Sequence, residues 1–238
     1  MTFKEIYQTR IEDYDINGLL SVEAVLRIFE NIGSHHSDSV SNSVIKGSLN
    51  GIAWIFVEWR IEIERLPKYG ELVKAETWIN GKAPSSSVMR NFLLSDNEGN
   101  TLIKGTAKFA LFDLIKRKPT RISAELFEMY SPENFSVFEN KSERLREPEE
   151  YDFELQLVQR RSDVDFNGHV HNINYLIYAL EALPKSVYES RDFSCVRILY
   201  KNPLKSGETI NVKVRENDGV YSVGIYGEDK ISSIVEIS

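Results

Sequence analysis

The sequence predicts an α+β fold in which one helix-and-sheet unit occurs twice. A short acidic turn appears in both halves of the chain, as DYDING at Asp13–Gly18 and as DVDFNG at Asp163–Gly168. Each turn precedes an amphipathic helix, and each helix precedes several alternating strands. A second pair of segments, PKYGELV and LKSGETI, follows in the same order. Two matches in one order indicate an internal duplication.

The two predicted helices carry apolar residues at helical spacing. Positions i, i+3, i+4 and i+7 are apolar in both: Val22, Val25, Leu26 and Phe29 in the first, and Ile173, Leu176, Ile177 and Leu180 in the second. We expect Ser21 to cap the first helix and Asn172 to cap the second. A serine-rich stretch follows the first helix, and we expect it to be a loop in which His35 and His36 are solvated.

Segments of alternating polarity predict the strands. In IFVEWRIEIE one face is apolar and the other is charged. The apolar face consists of Ile55, Val57, Trp59, Ile61 and Ile63. Hairpin turns are predicted at Asn97–Gly99 and at Asp218–Gly219. A long helix wrapped by an antiparallel β-sheet is the hotdog unit, so the sequence predicts a tandem (double) hotdog.

The predicted domains are an N-terminal hotdog at residues 1–130, a linker at 131–150 and a C-terminal hotdog at 151–238. The linker, SPENFSVFENKSERLREPEE, is polar and has a proline near each end. Two fused units can cover their sheet edges as a dimer of single units does. We therefore expect a monomer with an intramolecular hotdog pair, or a homodimer.

Composition excludes several classes of protein. The net charge of -7 argues against nucleic acid as the main partner, because phosphate binding favours a basic surface. No apolar run approaches the roughly 20 residues that span a bilayer, so we expect no membrane insertion. The single cysteine, Cys195, cannot form an internal disulfide. Because Lys4 and Glu5 interrupt the region where an export signal is apolar, we expect a cytoplasmic protein.

The second copy of the acidic turn carries a candidate catalytic site. Asp163, Asp165, Asn167 and His169 are spaced by two, so an extended segment places them on one face. The N–H groups at the start of the next helix can stabilise an oxyanion there. His169 either takes a proton from water or holds the attacking water. Asp165 either orients His169 or competes with it as the base, and Asn167 donates to a carbonyl oxygen or positions the water.

The same residue types also form ordinary turns and helix caps. The first copy, which has Leu19 in place of the histidine, is interpreted in that way. We expect His171 to form a hydrogen bond at the helix start, and Cys195 to be a small buried residue rather than a nucleophile. No third and fourth ligands accompany His169 and His171, and no P-loop or dinucleotide fingerprint is present, so we expect neither a metal nor a cofactor.

The segment RRSDVDFNGHVHNINYLIYALEALP, at Arg160–Pro184, resembles the Asp-x-Asp-x-Asn-x-His-Val-Asn-Asn motif of the acyl-acyl carrier protein thioesterases. EWRIEIERLPKYGELVKAETWI, RNFLLSDNEGNTL and FALFDLIKRKPTRI are also similar to that family, so the likeness covers nearly the whole chain in order. The family is a tandem hotdog, in agreement with the repeat. The resemblance implies hydrolysis of fatty acyl-acyl carrier protein thioesters, with water activated by Asp165, Asn167 and His169.

The resemblance also implies where the acyl chain and the carrier protein bind. The N-terminal helix and sheet form the acyl pocket in this family, and the candidate lining residues are Val25, Phe29, Trp54, Phe56 and Trp78. Each of these is equally compatible with plain core. Because the carrier is strongly acidic, docking requires a basic patch. The candidates are Lys116, Arg117, Lys118 and Arg121, which are equally compatible with a solvated loop, and Arg160 with Arg161.

Three positions depart from the family pattern. The glutamate and cysteine that follow a strand tyrosine in the family correspond to Pro203 and Leu204, and an asparagine of the motif corresponds to His171. Asn202 and Glu208 are candidates to replace the glutamate. Two alternatives therefore stay open: an acyl-coenzyme A thioesterase, and a non-catalytic acyl-binding double hotdog. The Asp-x-Asn-x-His spacing disfavours a hotdog hydratase.

Overall fold

The chain divides into two compact units, Met1–Lys141 and Ser142–Ser238. The structure is a computed structural model, and it describes residues 1–81, 86–140, 142–165, 168–190, 192–228 and 230–238. The division lies within the segment 131–150, while the predicted domain boundaries themselves stay predictions.

The N-terminal unit packs one long helix against an antiparallel sheet. Its strands are β1 (Phe3–Tyr7), β2 (Ile52–Ile63), β3 (Val73–Ile79), β4 (Ser87–Ser95), β5 (Thr101–Asp113) and β6 (Lys118–Pro119). Its helices are α1 (Val22–Ser39), α2 (Val44–Leu49) and α3 (Ala124–Glu128), and a 3-10 turn covers Ile11–Asp13. The strand order is β1-β3-β4-β5-β2, with β6 paired to β5.

The C-terminal unit repeats this arrangement. Its strands are β7 (Phe153–Val158), β8 (Cys195–Tyr200), β9 (Thr209–Asn217), β10 (Val220–Gly227) and β11 (Lys230–Ile237). Its helices are α4 (Asn172–Glu181) and α5 (Lys185–Ser190), and a 3-10 turn covers Arg161–Asp163. The order β7-β9-β10-β11-β8 is that of the first unit with each strand replaced by its counterpart. The predicted α+β tandem hotdog is confirmed.

The central helix α1 buries its apolar face against the sheet. The Phe29 ring lies 4.9 Å from the Phe92 ring and 6.1 Å from the Trp59 ring, measured between centroids. Gly105 of β5 permits this approach, because a Cβ atom there would lie 2.6 Å from Phe29 Cε2. Ser21 caps the helix as predicted, since its hydroxyl accepts the N–H of Ala24. None of the described helices has the length and apolarity needed to cross a bilayer.

The predicted loop after α1 is wrong, because α1 continues into the serine-rich stretch as far as Ser39; solvation is confirmed for His35 but is wrong for His36. His36 is 2% exposed, and its Nδ1 lies 3.1 Å from Nη1 of the buried Arg90. Burial, with the positive charge of Arg90, lowers the pKa of His36 to about 3, so the ring is neutral. His35 faces outward, and its Nδ1 lies 2.8 Å from Glu5 Oε2. The fold therefore buries His36 and leaves the adjacent His35 exposed to solvent.

Strand β2 also departs from the predicted alternation. Phe56 pairs with Phe109 and Glu58 with Lys108, so Val57 is an extra residue, a β-bulge. The bulge shifts the faces by one residue. Phe56 consequently stacks on Trp59 at 5.3 Å between ring centroids, while Ile55 is exposed. The predicted common face of Ile55 and Trp59 is wrong, since a pattern of alternation does not reveal one inserted residue.

The residues after α3 cross the sheet face that points away from α1. Paired positions on four strands form a row across this face: Trp78, Asn91, Thr106 and Arg60. The carbonyl of Phe135 accepts the indole N–H of Trp78 at 3.0 Å. The side-chain oxygen of Asn91 accepts the hydroxyl of Ser136 at 2.9 Å. The guanidinium of Arg60 lies 4.0 Å from the Phe138 ring centroid. The first half of the 131–150 segment is thus bound to the N-terminal unit.

Both predicted hairpin turns are confirmed. Gly99 has a φ of 91° in the turn between β4 and β5. Asp218 and Gly219 have φ values of 50° and 80° between β9 and β10. Two consecutive positive φ values produce the turn twist that favours Asp-Gly in two-residue hairpins.

Candidate active site

The candidate site is the acidic turn before α4, and the same turn precedes α1. In both copies the carbonyl of the first aspartate accepts the N–H of the helix-capping residue at 2.8 Å. In both copies a glycine with positive φ closes the turn, Gly18 at 70° and Gly168 at 77°. The turn is therefore a structural feature of each unit. Side chains that differ between the two copies of the turn are therefore the candidates for a role that only the second copy has.

The second aspartate of the turn holds its backbone. Asp15 Oδ1 accepts the N–H groups of Asn17 at 2.8 Å and Leu19 at 3.0 Å. Asp165 Oδ1 accepts the N–H of His169 at 3.3 Å. The structure thus brings Asp165 and His169 together through the backbone of the histidine, whose side chain is exposed. Asn167, the third predicted catalytic residue, lies outside the described residues.

Asp163 is directed into the protein rather than toward His169. It is 2% exposed, and its Oδ2 accepts the N–H of Arg160 at 2.9 Å and the hydroxyl of Tyr178 at 2.7 Å. Its Oδ1 accepts from Arg160 Nε at 3.1 Å. The expectation of one extended wall is wrong, because residues 161–163 form a 3-10 turn and the backbone of Asp165 is hydrogen-bonded to both Gly168 and His169. Asp163 is therefore a structural residue.

His171 caps helix α4, and its predicted hydrogen bond at the helix start is confirmed. Its Nδ1 accepts the N–H of Ile173 at 3.4 Å, and its backbone is extended. Asn172, the predicted cap, is instead the first helical residue. Burial lowers the pKa of His171, while the charge of Asp165 opposes the shift. The ring is thus held as a neutral acceptor.

A buried hydroxyl outside the predicted site residues joins α4 to the loop after β8. Tyr175 OH accepts the N–H of Leu204 at 2.8 Å, and the carbonyl of Leu204 accepts the N–H of Val170 at 3.0 Å. At the corresponding positions the first copy has Val25, which has no hydroxyl, and Pro67, which has no N–H. This paired difference is visible when the two copies are aligned.

The carboxylates of Glu208 and Asp165 contribute negative charge at this hydroxyl. Burial raises the pKa of Tyr175 to about 12, and the charges of Glu208 and Asp165 add to the shift. Glu208 is half-buried, and its Oε2 would lie 2.4 Å from a Cβ atom built on Gly227. The absence of a side chain at Gly227 therefore leaves the space that the carboxylate occupies.

The glutamate at the corresponding place in the first copy behaves differently. Glu71 Oε1 accepts the N–H of Lys68 at 2.9 Å, and both carboxylate oxygens bond to Arg65. Of the other residues near the departure from the family pattern, Pro203 is exposed and Asn202 donates its amide to the carbonyl of Ile231 at 2.8 Å. Glu208, unlike Glu71, therefore has no such ion pair with an arginine among the described residues, and its charge contributes to the raised pKa of Tyr175.

Replacing Tyr175 with phenylalanine is expected to lower the free energy of unfolding by about 1–3 kcal/mol, because the buried Leu204 N–H loses its acceptor. Thermal denaturation followed by circular dichroism measures the change. Tyr221→Phe is the matched control, since no hydrogen bond involves the Tyr221 hydroxyl among the described residues. Equal stability of the two variants would contradict the assigned bond.

The candidate acyl-pocket residues are separated by the fold. Val25 and Phe29 are buried on α1. The Trp59 ring stacks on both Phe29 and Phe56. Trp54 packs beside another buried cluster, which consists of Ile79, Val88, Leu111, Ile122, Phe127 and Tyr130. Trp78 lies on the sheet face away from α1, against Phe135.

The candidate docking residues are all exposed. Lys116, Arg117, Lys118 and Arg121 follow β5 in the N-terminal unit, and Arg160 and Arg161 belong to the C-terminal unit. Cys195 is half-buried at the start of β8. The described ranges contain no group of three or more His, Cys, Asp or Glu side chains placed to hold a metal ion.

Family models match both units of the chain. The acyl-ACP thioesterase N-terminal domain matches residues 1–130, and the acyl-ACP thioesterase C-terminal domain matches residues 146–233. Among curated proteins, the chain is similar to the chloroplastic oleoyl-acyl carrier protein thioesterase 1 of Arabidopsis thaliana, with 22% identity over 229 residues. That match covers 89% of this chain and 63% of the relative, so the chain spans less than two thirds of the plant protein.

Two solved structures have the same tandem fold. An acyl-ACP thioesterase from Bacteroides thetaiotaomicron has a TM-score of 0.88 at 18% identity, covering 99% of this chain and 96% of that one. The 12:0-ACP thioesterase of Umbellularia californica has a TM-score of 0.88 at 20% identity, covering 100% of this chain and 96% of that one. At these identities the likeness establishes the fold.

Proposed function

The chain belongs to the acyl-ACP thioesterase family, and we therefore propose that it hydrolyses fatty acyl-acyl carrier protein thioesters. The products are a free fatty acid and the carrier protein thiol. The observation that carries the proposal is the match of both family domains, in order, to residues 1–130 and 146–233. We further propose that the enzyme is cytoplasmic and needs neither a metal nor a cofactor.

His169 is the proposed general base. Its imidazole is exposed on a turn whose backbone hydrogen bonds are repeated where Leu19 stands in the first unit, so the histidine is not required for the turn. The imidazole takes a proton from water, and the water oxygen attacks the thioester carbonyl. Collapse of the tetrahedral adduct breaks the C–S bond, and the departing thiolate takes up the proton.

Asp165 and Asn167 support the base in this proposal. Asp165 holds the turn through the N–H of His169, and its negative charge stabilises an imidazolium formed during the reaction. Asn167 positions the water or donates to the carbonyl oxygen, as the resemblance implies. The start of α4 adds positive potential for the oxyanion, because first-turn N–H groups lack helical partners.

Glu208 is the proposed replacement for the family glutamate at Pro203. Its carboxylate is half-buried and contributes negative charge at Tyr175 together with Asp165. Asn202, the other candidate, already donates its amide to the backbone of β11. Glu208 would therefore hold the attacking water, with Tyr175 fixing the loop that carries it.

The acyl chain is proposed to bind in the N-terminal unit. Val25, Phe29 and Phe56 are the preferred lining residues, because the first two are buried on α1 and Phe56 stacks on Trp59, whose ring lies beside Phe29. Trp54 stays a candidate beside the neighbouring cluster. Trp78 is a weaker candidate, since its indole contacts Phe135 on the opposite face.

Thiol release from acyl carrier protein thioesters of C8 to C18 chains, beside the matching coenzyme A esters, tests the proposal. Faster release from the carrier esters is the expected result, and the same series reports the preferred chain length. Faster release from coenzyme A esters would instead establish the acyl-coenzyme A thioesterase alternative. Tight binding of an acyl carrier without release of thiol would identify a non-catalytic double hotdog.

A further inference from the structure

We propose that an apolar tip on the N-terminal unit, ringed by cations, is the surface on which the acidic acyl carrier protein docks. This inference rests on the proposed function. The apolar tip consists of Ile45 and Leu49 on α2 and Ile115 in the turn after β5. Their side chains are 58%, 80% and 81% exposed. Single exposed apolar residues are ordinary, whereas a group of them at one place marks a contact site.

The three side chains form one patch although they are distant in sequence. Ile45 and Leu49 are four residues apart and therefore share one side of α2. Leu114 donates its N–H to the carbonyl of Gly51 at 2.8 Å, which joins the two turns. A Cβ atom at Gly51 would lie 2.9 Å from Ile115 Cδ1, so the isoleucine rests on the turn that follows α2.

The Asp113 side chain is hydrogen-bonded to the backbone of the turn that carries Ile115. Asp113 Oδ1 accepts the N–H groups of Ile115 at 3.0 Å and Lys116 at 2.8 Å. Beyond the turn, Lys118 pairs with Asp113 as β6 returns along β5. A surface that is already ordered loses less conformational entropy when a partner binds.

Several exposed cations lie beside the tip along the chain. Lys46, Arg117 and Lys118 are exposed, and among the described residues none of the three has a carboxylate within 4.0 Å. Lys116 lies beside them, with its Nζ 3.3 Å from Asp113 Oδ2. An apolar centre with a charged rim is the usual anatomy of a protein–protein interface. A cationic rim on a chain of net charge -7 selects an acidic partner.

The predicted basic cluster after β5 and the predicted pair Arg160 and Arg161 differ in what lies beside their charges. The Arg160 guanidinium is bonded to the buried carboxylate of Asp163 at 3.1 Å, so its charge already serves the fold of the C-terminal unit. The cluster after β5 instead adjoins exposed apolar side chains. Docking is therefore assigned to the tip and its cations rather than to Arg160.

Titration calorimetry of the full chain with a carrier protein that bears an amide-linked, non-hydrolysable acyl chain tests this assignment. Ile115→Ser and Leu49→Ser are each expected to raise the Kd about tenfold, because each removes a large apolar contact from the interface. Ile16→Ser is the matched control, since Ile16 is also 81% exposed but lies in the acidic turn of the same unit. Ile115→Leu should retain the affinity.

An unchanged Kd in both serine variants would overturn the assignment. It would equally be overturned if those variants lost only binding to phosphatidylglycerol vesicles, or changed only the oligomeric state. Failure of docking and failure of the proposed function are separable. A wild-type chain that binds the carrier through the tip but releases no thiol keeps the docking surface and rejects hydrolysis. A wild-type chain that does not bind the carrier rejects both.

Discussion

Replacing His169 with leucine is expected to reduce kcat for acyl carrier protein thioesters by about 100-fold or more, the range for loss of a general base. Leucine is the informative substitution because Leu19 stands at this place in the first copy of the turn. In both copies the second aspartate donates its N–H to the carbonyl of this residue at 2.8 Å. The variant therefore removes the imidazole and retains the backbone that carries it. Steady-state thiol release measures the effect.

The control for this variant is His35→Leu, which removes another exposed histidine at a distance along the chain from the acidic turns. It should leave kcat unchanged. The melting temperature of His169→Leu should equal that of the wild type, since no described side-chain bond of His169 supports the turn. A wild-type rate in His169→Leu would remove this residue from the mechanism.

Replacing Asp163 with alanine is expected to lower the free energy of unfolding by about 3 kcal/mol, because buried donors lose their shared acceptor. The carboxylate accepts from the N–H and Nε of Arg160 and from the hydroxyl of Tyr178. For a chain of this size the loss corresponds to a fall in Tm of about 6–12 °C. Thermal unfolding followed by circular dichroism measures it.

Asp192→Ala is the matched control for this loss, because Asp192 is an exposed aspartate of the same unit. Surface substitutions of this kind usually change stability by about 0.5 kcal/mol or less. The loss of stability in Tyr178→Phe should lie between the losses in Asp163→Ala and Asp192→Ala, since it removes one of the hydrogen bonds to the Asp163 carboxylate. A wild-type Tm for Asp163→Ala would show that its contacts contribute little to the fold.

Features that depend on neighbouring residues were predictable from the sequence. The hairpin turns, the cap at Ser21 and the acidic turns arise from Asp, Asn, Ser and Gly acting within a few residues. The repeated order of these signals was sufficient for the tandem hotdog. The cap of α4 was displaced by one residue because an imidazole supplied the acceptor that we had assigned to Asn172.

Features that depend on distant partners were not predictable in this way. Burial of His36 against Arg90 required the contact between α1 and β4. The extra residue Val57 became visible only through the pairing of β2 with β5. The apolar tip joins α2 to a turn more than sixty residues later, so no local pattern announces it.

Local patterns in the sequence were thus sufficient to predict the fold class, the duplicated turn and the histidine that only the second copy carries. Burial against Tyr178 of α4 is a tertiary contact that makes Asp163 a structural residue, whereas Asp165 holds the turn locally through the N–H of His169. Tertiary structure also decided that a tyrosine hydroxyl meets the N–H of Leu204. The physical reason is that turn chemistry acts over a few residues, whereas burial and charge depend on what the folded chain places alongside.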